Sequence, residues 1–346
     1  MLGLLEGEGI KMKSNKKVTA KNNGFNLNSF YIKSKAKLWG RPNHRGTLYM
    51  ACIYIILIAM GFVYLYPILD MAVTSLMSLT DLLDASVKWI PTSITFDNYK
   101  DAFDVMKVKT TVGNTILSAL LPALAQTLVC GLTGYGLARY EFPFKKLLLA
   151  LLLITFIVPP YVLMVPKYTM FSDYKMIGTL KTLIYPALLG QGTKSAIFVL
   201  IFMQFFKQTP KSLDEAAKVD GASDFRIFFG VAVPLAVPAF IISFLFSFVW
   251  YWNDTYFTAL YMGITSATDT TVVRTMLLEL QNFEASYKQH IQAVSGWGAS
   301  VMGESVANEA IKMAATVITI SPLLIMYFCL QRYFVEGIDR TGITGE

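Results

Sequence analysis

Long stretches without a charged residue are the feature that most constrains this chain. A helix that crosses a hydrocarbon core of about 30 Å needs roughly 20 mostly apolar residues. Stretches of that length without Asp, Glu, Lys or Arg occur at 46–69, 110–138, 147–166, 227–253 and 313–331. A further stretch, 182–206, qualifies if Lys194 is accepted within it. We therefore predict six transmembrane spans.

The composition excludes the common soluble classes. The chain is 54% hydrophobic and 15% charged, whereas soluble domains have about 25% charged residues and disordered chains have few apolar ones. The apolar runs are continuous and about twice the roughly 10 residues of an alternating barrel strand. The sequence thus predicts an all-α integral membrane protein. Prolines in or beside the spans predict kinks or helix ends: Pro159, Pro160, Pro186, Pro234, Pro238 and Pro322.

The distribution of basic residues predicts the orientation. Between Lys11 and Arg45 there are ten Lys or Arg and no acid. The side of the membrane that holds this tail carries nineteen Lys or Arg in total, and the other side carries ten. Because cytoplasmic flanks carry the excess of Lys and Arg, both termini are predicted to be cytoplasmic. The predicted regions are a basic tail (1–46), a six-span domain (47–334) and a C-terminal tail (335–346). The tail suits anionic lipid, and no motif for nucleic acid accompanies it.

The start of the chain allows two interpretations. No short apolar region with a small-residue cleavage site comes after the basic part, so the first span is predicted to be an uncleaved anchor. Residues 1–11 differ in character from the rest of the chain, and initiation at Met12 is an alternative to Met1.

The inner loop 207–230 has the pattern of a short helix-turn-helix. Ser212 is a candidate N-cap, with Asp214 and Glu215 in the first turn where the helix dipole favours acids. Gly221 is a helix stop, and the residues 222–224 can cap a second helix. By shape alone this is an ordinary connection between two spans.

The spacing within the loop resembles the EAA motif of ABC importer permeases. The matching residues are Glu215-Ala216-Ala217, then Gly221, then Val231-Ala232-Val233-Pro234. The resemblance implies the MetI-like permease fold, with a coupling helix that docks on an ATPase subunit. The residues that it assigns to coupling are Glu215, Ala216, Ala217, Asp220, Gly221 and Pro234.

Other segments are similar to permeases of the carbohydrate-uptake group, in particular the maltose-type G subunit. They are 89–91, 98–99, 134–140, 205–206, 249–254 and 330–337. The resemblance implies a second, F-type permease, two ATPase subunits and an extracytoplasmic solute-binding protein as partners, in a bacterial cytoplasmic membrane. Two departures are a longer outer loop 254–312, with extra residues around 285–308, and a different tail at 338–343.

Candidate substrate contacts lie in and beside the spans. Sugars bind aromatic faces and polar groups, and such residues cluster at the end of the fifth span: Trp250, Tyr251, Trp252, Asn253 and Tyr256. We interpret the cluster as interfacial and packing aromatics, with direct sugar contact as the alternative. Gln191 and Lys194 interrupt the fourth span. Lys194 is interpreted as snorkelling to the interface, with a substrate role as the alternative.

No catalytic or metal motif is present in the sequence. It has no G-x-x-x-x-G-K-[ST] phosphate loop, so ATP and Mg are expected in a partner ATPase and no cofactor or metal in this chain. Cys52, Cys130 and Cys329 lie in apolar runs and predict no disulfide or metal site. The alternatives are an ABC permease for a non-sugar solute and an ion-coupled secondary transporter, which would be expected to show buried acids and paired repeats. A membrane-anchored binding module would not need six spans.

Overall fold

The computed structural model describes residues 40–41, 44–262, 273–295 and 304–340 of the 346. Strands β1 (Gly40–Arg41) and β2 (His44–Arg45) form a short antiparallel pair. The helices are α1 (Thr47–Thr74), α2 (Leu79–Leu83), α3 (Asp97–Val105), α4 (Val108–Arg139), α5 (Lys145–Ile157), α6 (Met164–Asp173), α7 (Lys181–Leu188), α8 (Ser195–Gln208), α9 (Ser212–Val219), α10 (Asp224–Ile227), α11 (Val233–Leu235), α12 (Val237–Asn253), α13 (Tyr256–Met262), α14 (Met276–Gln281), α15 (Phe283–Ser295) and α16 (Glu304–Arg340). The predicted all-α fold is confirmed.

The chain divides into two units, residues 1–67 and 68–346. In the first unit, Gly40 pairs with Arg45 and Arg41 pairs with His44. Most of the predicted basic tail, residues 296–303 of the extra loop and residues 341–346 lie outside the described residues. The predictions made for those segments stay predictions.

The predicted spans correspond to straight and bent helices. Within the described ranges, three helices are long and apolar enough to cross a membrane: Thr47–Thr74, Val108–Arg139 and Glu309–Arg332. Two bent pairs qualify if each counts as one span: Lys145–Ile157 with Pro160–Asp173, bent by 94°, and Asp224–Leu235 with Val237–Asn253, bent by 81°. Both bends fall at or beside prolines, as the sequence predicted.

The predicted fourth span, 182–206, is divided in the structure. It consists of α7 and α8, which are 8 and 14 residues long. The break holds Gly190 with φ of +71° and Lys194 with φ of +55°, both in the left-handed region. This backbone cannot continue an α-helix, so the segment does not form one continuous span. α8 alone is shorter than the roughly 20 residues that cross a bilayer.

Helix α4 is the central helix of the second unit, and it contacts α7, α8, α12 and α14. Small residues recur on its buried face at every fourth position: Ala119, Ala123, Thr127 and Gly131. Small residues at that spacing let membrane helices approach closely. At Gly134 the approach is to backbone, because an added Cβ would lie 2.9 Å from Met203 N.

The segment between α1 and α4 is folded through side-chain hydrogen bonds. Asn98 Nδ2 donates to the carbonyl oxygens of Ser75 and Met77 at 3.0 and 2.9 Å. The Asp81 carboxylate accepts the hydroxyl and the backbone N–H of Thr92. The Thr92 hydroxyl bond is the main cause that lowers the pKa of Asp81 below its ordinary value. These bonds attach α3 to the residues before α2, and α2 to the loop that leads to α3.

Candidate functional site

The loop 207–230 folds as the predicted helix-turn-helix, formed by α9 and α10. Gly221 has φ of +77°, and its N–H donates to Lys218 O at 3.0 Å, so it ends α9 as predicted. Ser223 Oγ accepts the N–H of Arg226 at 3.4 Å and caps α10. The prediction that Ser212 is an N-cap is wrong. Ser212 is the first residue of α9, and the capping position is held by Lys211 without a side-chain bond.

Asp214 anchors α9 to the C-terminal end of α4. Its carboxylate oxygen Oδ2 lies 2.9 Å from Arg139 Nε, as an ion pair whose N–H is not aligned for a hydrogen bond. The Tyr135 hydroxyl donates to the same oxygen at 3.3 Å. Arg139 Nη1 donates to Thr209 O at 2.9 Å. The end of α4, the residue after α8, and α9 therefore meet at one buried polar cluster, which we call the Arg139 cluster (Tyr135, Arg139, Thr209 and Asp214).

The opposite face of the helix-turn-helix is exposed. Glu215, Ala216 and Asp220 are exposed, and Ala217 is half-buried. Apolar side chains also face outward, with Val219 at 87% and Phe225 at 68% exposure. Exposed apolar groups beside small alanines and an exposed carboxylate have the chemistry of a protein docking surface. We call Glu215, Ala216, Val219, Asp220 and Phe225 the docking face.

Pro234 lies where this loop enters the bundle. A π-helical turn, Phe228–Ala232, leads from α10 into the short helix α11. Pro234 occupies the first turn of α11, where its missing N–H is not needed. The 81° bend comes before α12 begins at Val237. Of the predicted coupling residues, Pro234 is therefore part of the bend and not of the docking face.

The aromatic residues at the end of α12 are largely internal. Tyr251 and Trp252 are buried and Trp250 is half-buried. The Tyr251 hydroxyl donates to Gln126 Oε1 at 2.8 Å and accepts the N–H of Thr193 at 3.1 Å. Gln126 Nε2 donates to Thr193 O at 2.7 Å. These bonds tie the break between α7 and α8 to α4 and α12, so Tyr251 has a visible packing role.

The remaining candidate substrate residues are exposed and do not form one group. Lys194 Nζ lies 4.4 Å from the centroid of the Trp250 ring, a cation–π contact. Gln191, three residues earlier in the chain, is also exposed. Asn253 Nδ2 donates to Val249 O at 3.0 Å, within its own helix. Tyr256 lies on α13, where its hydroxyl donates to Met164 Sδ at 3.0 Å.

Several residues of these sites were not predicted as site residues, among them Asp214, Arg139, Tyr135 and Gln126. Asp214 is adjacent to Glu215, and successive helix residues point about 100° apart, so only a three-dimensional partner shows which one is buried. Tyr135 and Arg139 lie in the segment 134–140, which carried the family resemblance without a role. Gln126 is a polar residue within a predicted span, and that was an available signal.

Comparison with known protein families places the chain. A sequence model described as "Binding-protein-dependent transport system inner membrane component" matches residues 130–340. The chain belongs to this family, and it is a multi-pass membrane protein of the ABC importer permease class. The predicted family is thus confirmed.

Known relatives and a solved structure match this chain over most of their own length. The chain is 28% identical over 264 residues to the melibiose/raffinose/stachyose import permease MelC of Bacillus subtilis, covering 76% of this chain and 86% of that protein. It is 24% identical over 288 residues to the arabinooligosaccharides transport system permease AraQ of Halalkalibacterium halodurans, covering 82% and 93%. A chain in the crystal structure of a bacterial ABC transporter involved in import of the acidic polysaccharide alginate matches with a TM-score of 0.67 at 19% identity, over 83% of this chain and 96% of that chain. The likeness to that structure shows the fold.

Proposed function

We propose that this chain is the permease subunit of an ATP-driven importer of oligosaccharides. It forms half of the translocation path, together with a second permease subunit. Two ATPase subunits, which bind ATP and Mg, supply the energy, and an extracytoplasmic solute-binding protein delivers the sugar. The support for the sugar class is that the relatives MelC and AraQ are named for oligosaccharide import. Both termini, and the loop 207–230, are assigned to the cytoplasm.

The observation that carries the proposal is the division of α9 and its turn into two faces. Asp214 is buried against α4, while the neighbouring Glu215 is exposed together with the apolar side chains of Val219 and Phe225. A short helix that is held on one side, and that exposes apolar side chains and carboxylates on the other, is suited to receive a partner. Glu215 can accept a charge-assisted hydrogen bond from an ATPase subunit, and Ala216 permits its close approach.

The candidate substrate residues keep a more limited role in the proposal. Lys194 and Gln191, which are exposed at the break between α7 and α8, are proposed to line the sugar path. Trp250 supports Lys194 through its ring. Tyr251 and Trp252 are buried, so we assign them to the walls of the path. Asn253 and Tyr256 are kept as contacts at its outer end.

The test is transport by the complete complex, purified through a tag on this chain and reconstituted in vesicles. The substrates are raffinose, stachyose and arabino-oligosaccharides, with the solute-binding protein present. Glu215→Ala is expected to lower sugar uptake about 10-fold or more, because a charge-assisted hydrogen bond contributes about 1.5–3 kcal/mol. Gly221→Leu is expected to impair uptake, because a side chain at φ of +77° is strained.

The matched control is Glu141→Ala, which removes an acid of 86% side-chain exposure from the neighbouring inner loop. It is expected to leave uptake unchanged. Wild-type uptake and wild-type ATPase association in both Glu215→Ala and Gly221→Leu would contradict the coupling role. Absence of uptake for every oligosaccharide by the wild-type complex, with uptake of another solute, would contradict the sugar class.

A further inference from the structure

We propose that Arg139, Asp214 and Tyr135 are positioning residues that connect the docking face to the central helix α4, so that movement of α9 becomes movement of α4. This inference rests on the proposed function, because it concerns how the motion of an ATPase reaches the membrane helices. It assigns a role to three residues of the Arg139 cluster.

The first observation is that the charges are buried. The side chains of Arg139 and Asp214 are 6% and 13% exposed. A buried ion pair contributes little net stability compared with apolar residues of the same volume, but it is strongly specific in geometry, and loss of one partner leaves a charge without compensation. The pair therefore defines one position of α9 relative to α4 more than it holds the fold together.

The second observation is the contrast with the other ion pair of the loop. Lys218 Nζ lies 3.4 Å from Asp224 Oδ1, but these side chains are 51% and 62% exposed. An exposed pair of this kind is screened by water and constrains little. Only the contact through Asp214 joins α9 to α4 by a buried charge among the described ion pairs.

The third observation is where Arg139 sits. It is the last residue of α4, and its guanidinium also bonds the carbonyl of Thr209, the residue after α8. Three elements are therefore held at a single side chain. The Tyr135 hydroxyl, one helical turn earlier on α4, adds a second contact to Asp214 Oδ2. A displacement of α9 therefore acts on two successive turns of α4, those of Tyr135 and Arg139.

The fourth observation is what α4 touches at its other end. Thr115 Oγ1 accepts the N–H of Met276 at 2.8 Å, and Asn114 Nδ2 donates to Arg274 O at 3.1 Å. Thr115 and Arg139 are 24 residues apart on α4, which is about 36 Å at 1.5 Å per residue. A continuous helix fixed at both ends carries a displacement along that length. The segment 273–281 lies where the proposed orientation places the solute-binding protein.

The experiment compares the wild-type complex with Arg139→Met, Arg139→Lys, Asp214→Asn, Tyr135→Phe and the reversed pair Arg139→Asp/Asp214→Arg. Each complex is purified through the tagged chain and reconstituted in vesicles with the solute-binding protein. Three quantities are measured: the ATPase recovered per tagged chain, the rate of ATP hydrolysis, and raffinose taken up per ATP hydrolysed. The matched control is a more exposed pair on α3, changed as Lys100→Met/Asp97→Asn.

The expected result is that Arg139→Met and Asp214→Asn retain the ATPase and hydrolyse ATP but take up at least about 10-fold less raffinose per ATP, since each leaves a buried charge unpaired. Tyr135→Phe, which removes one hydroxyl, lowers that ratio about 2- to 5-fold. The reversed pair recovers part of the ratio, Arg139→Lys retains more of it than Arg139→Met, and the control pair leaves it unchanged.

Two outcomes overturn the proposal. One is a normal uptake-to-hydrolysis ratio in the assembled single variants. The other is loss of the ATPase from the single variants with an unchanged ratio in the complex that remains, because the cluster would then serve assembly alone. A wild-type complex that retains no ATPase contradicts the proposed function itself and is recognised before any variant is compared.

Discussion

The close approach of α4 and α8 at Gly134 predicts a measurable cost for one methyl group. An added Cβ at Gly134 would lie 2.5 Å from Phe202 Cβ, 2.9 Å from Met203 N and 3.0 Å from Val199 O. Carbon atoms in ordinary contact are 3.5–4.0 Å apart, so the helices must separate by about 1 Å. Two of the three atoms belong to the α8 backbone and cannot turn aside. Overfilling a well-packed interior costs about 1–3 kcal/mol.

Gly136→Ala is the matched control for Gly134→Ala. It lies on the same helix, and an added Cβ there meets nothing within 4 Å. Both substitutions gain about 1 kcal/mol in helix propensity, so this gain cancels in the comparison. Gly134→Ala is therefore expected to be about 1–3 kcal/mol less stable than Gly136→Ala. Gly131→Ala is expected between them, because the atom it meets at 2.6 Å is the end of the Phe240 ring, which can move.

The assay is equilibrium unfolding of the purified chain by SDS in mixed micelles, monitored by tryptophan fluorescence. The three variants and the wild type are titrated at one protein and lipid concentration. Equal unfolding free energies for Gly134→Ala and Gly136→Ala would show that α4 and α8 do not approach as closely as described. A greater loss for Gly131→Ala than for Gly134→Ala would refute the argument from backbone contact.

Two further predictions use the same titration. Gln126→Leu leaves the carbonyl of Thr193 without its donor and the Tyr251 hydroxyl without its acceptor, which lowers the free energy of unfolding by about 1–3 kcal/mol. Gln191 is exposed, so Gln191→Leu is expected to leave that free energy unchanged. Equal free energies of unfolding for the two variants would contradict the polar link. Burial raises the pKa of the Asp254 carboxyl to about 6 from 3.8, so the folded chain holds a proton in that range that the unfolded chain releases. The contribution of this carboxyl to stability is then fully present below about pH 4 and is lost as the pH rises through about 6, and Asp254→Asn is expected to remove this slope. An unchanged slope in Asp254→Asn would assign it to another group.

Helices and helix ends could be predicted from the sequence where the signal lies in adjacent residues. The apolar runs predicted α1, α4 and the last helix, and Gly221 predicted the end of α9, because length and a left-handed turn are properties of adjacent residues. The N-cap of α9 was predicted one residue too late, because Lys211 holds that position and Ser212 is the first helical residue. The local sequence is the same in both cases, so it does not show which position the Ser occupies.

The features that escaped prediction depend on distant parts of the chain. The prolines marked the bends but not their angles of 94° and 81°, which are set by the helices around them. Asp214 and Arg139 are 75 positions apart, so nothing near either residue shows that they form a pair. The break at 189–194 could be foreseen from its glycines, but its attachment to Gln126 and Tyr251 needs the arrangement of three helices.

Light-induced cross-linking from the docking face tests the central claim most directly. Benzoylphenylalanine is placed at Phe225, which is 68% exposed on the docking face, or at Ile90, which is 83% exposed in the segment between α1 and α4. Both are irradiated in the intact complex in its native membrane, and the adducts are identified by mass spectrometry. The prediction is that position 225 captures the ATPase subunit and position 90 does not. Capture of the ATPase from position 90, or its absence from position 225 in an active complex, would contradict the assignment of this loop as the site of coupling.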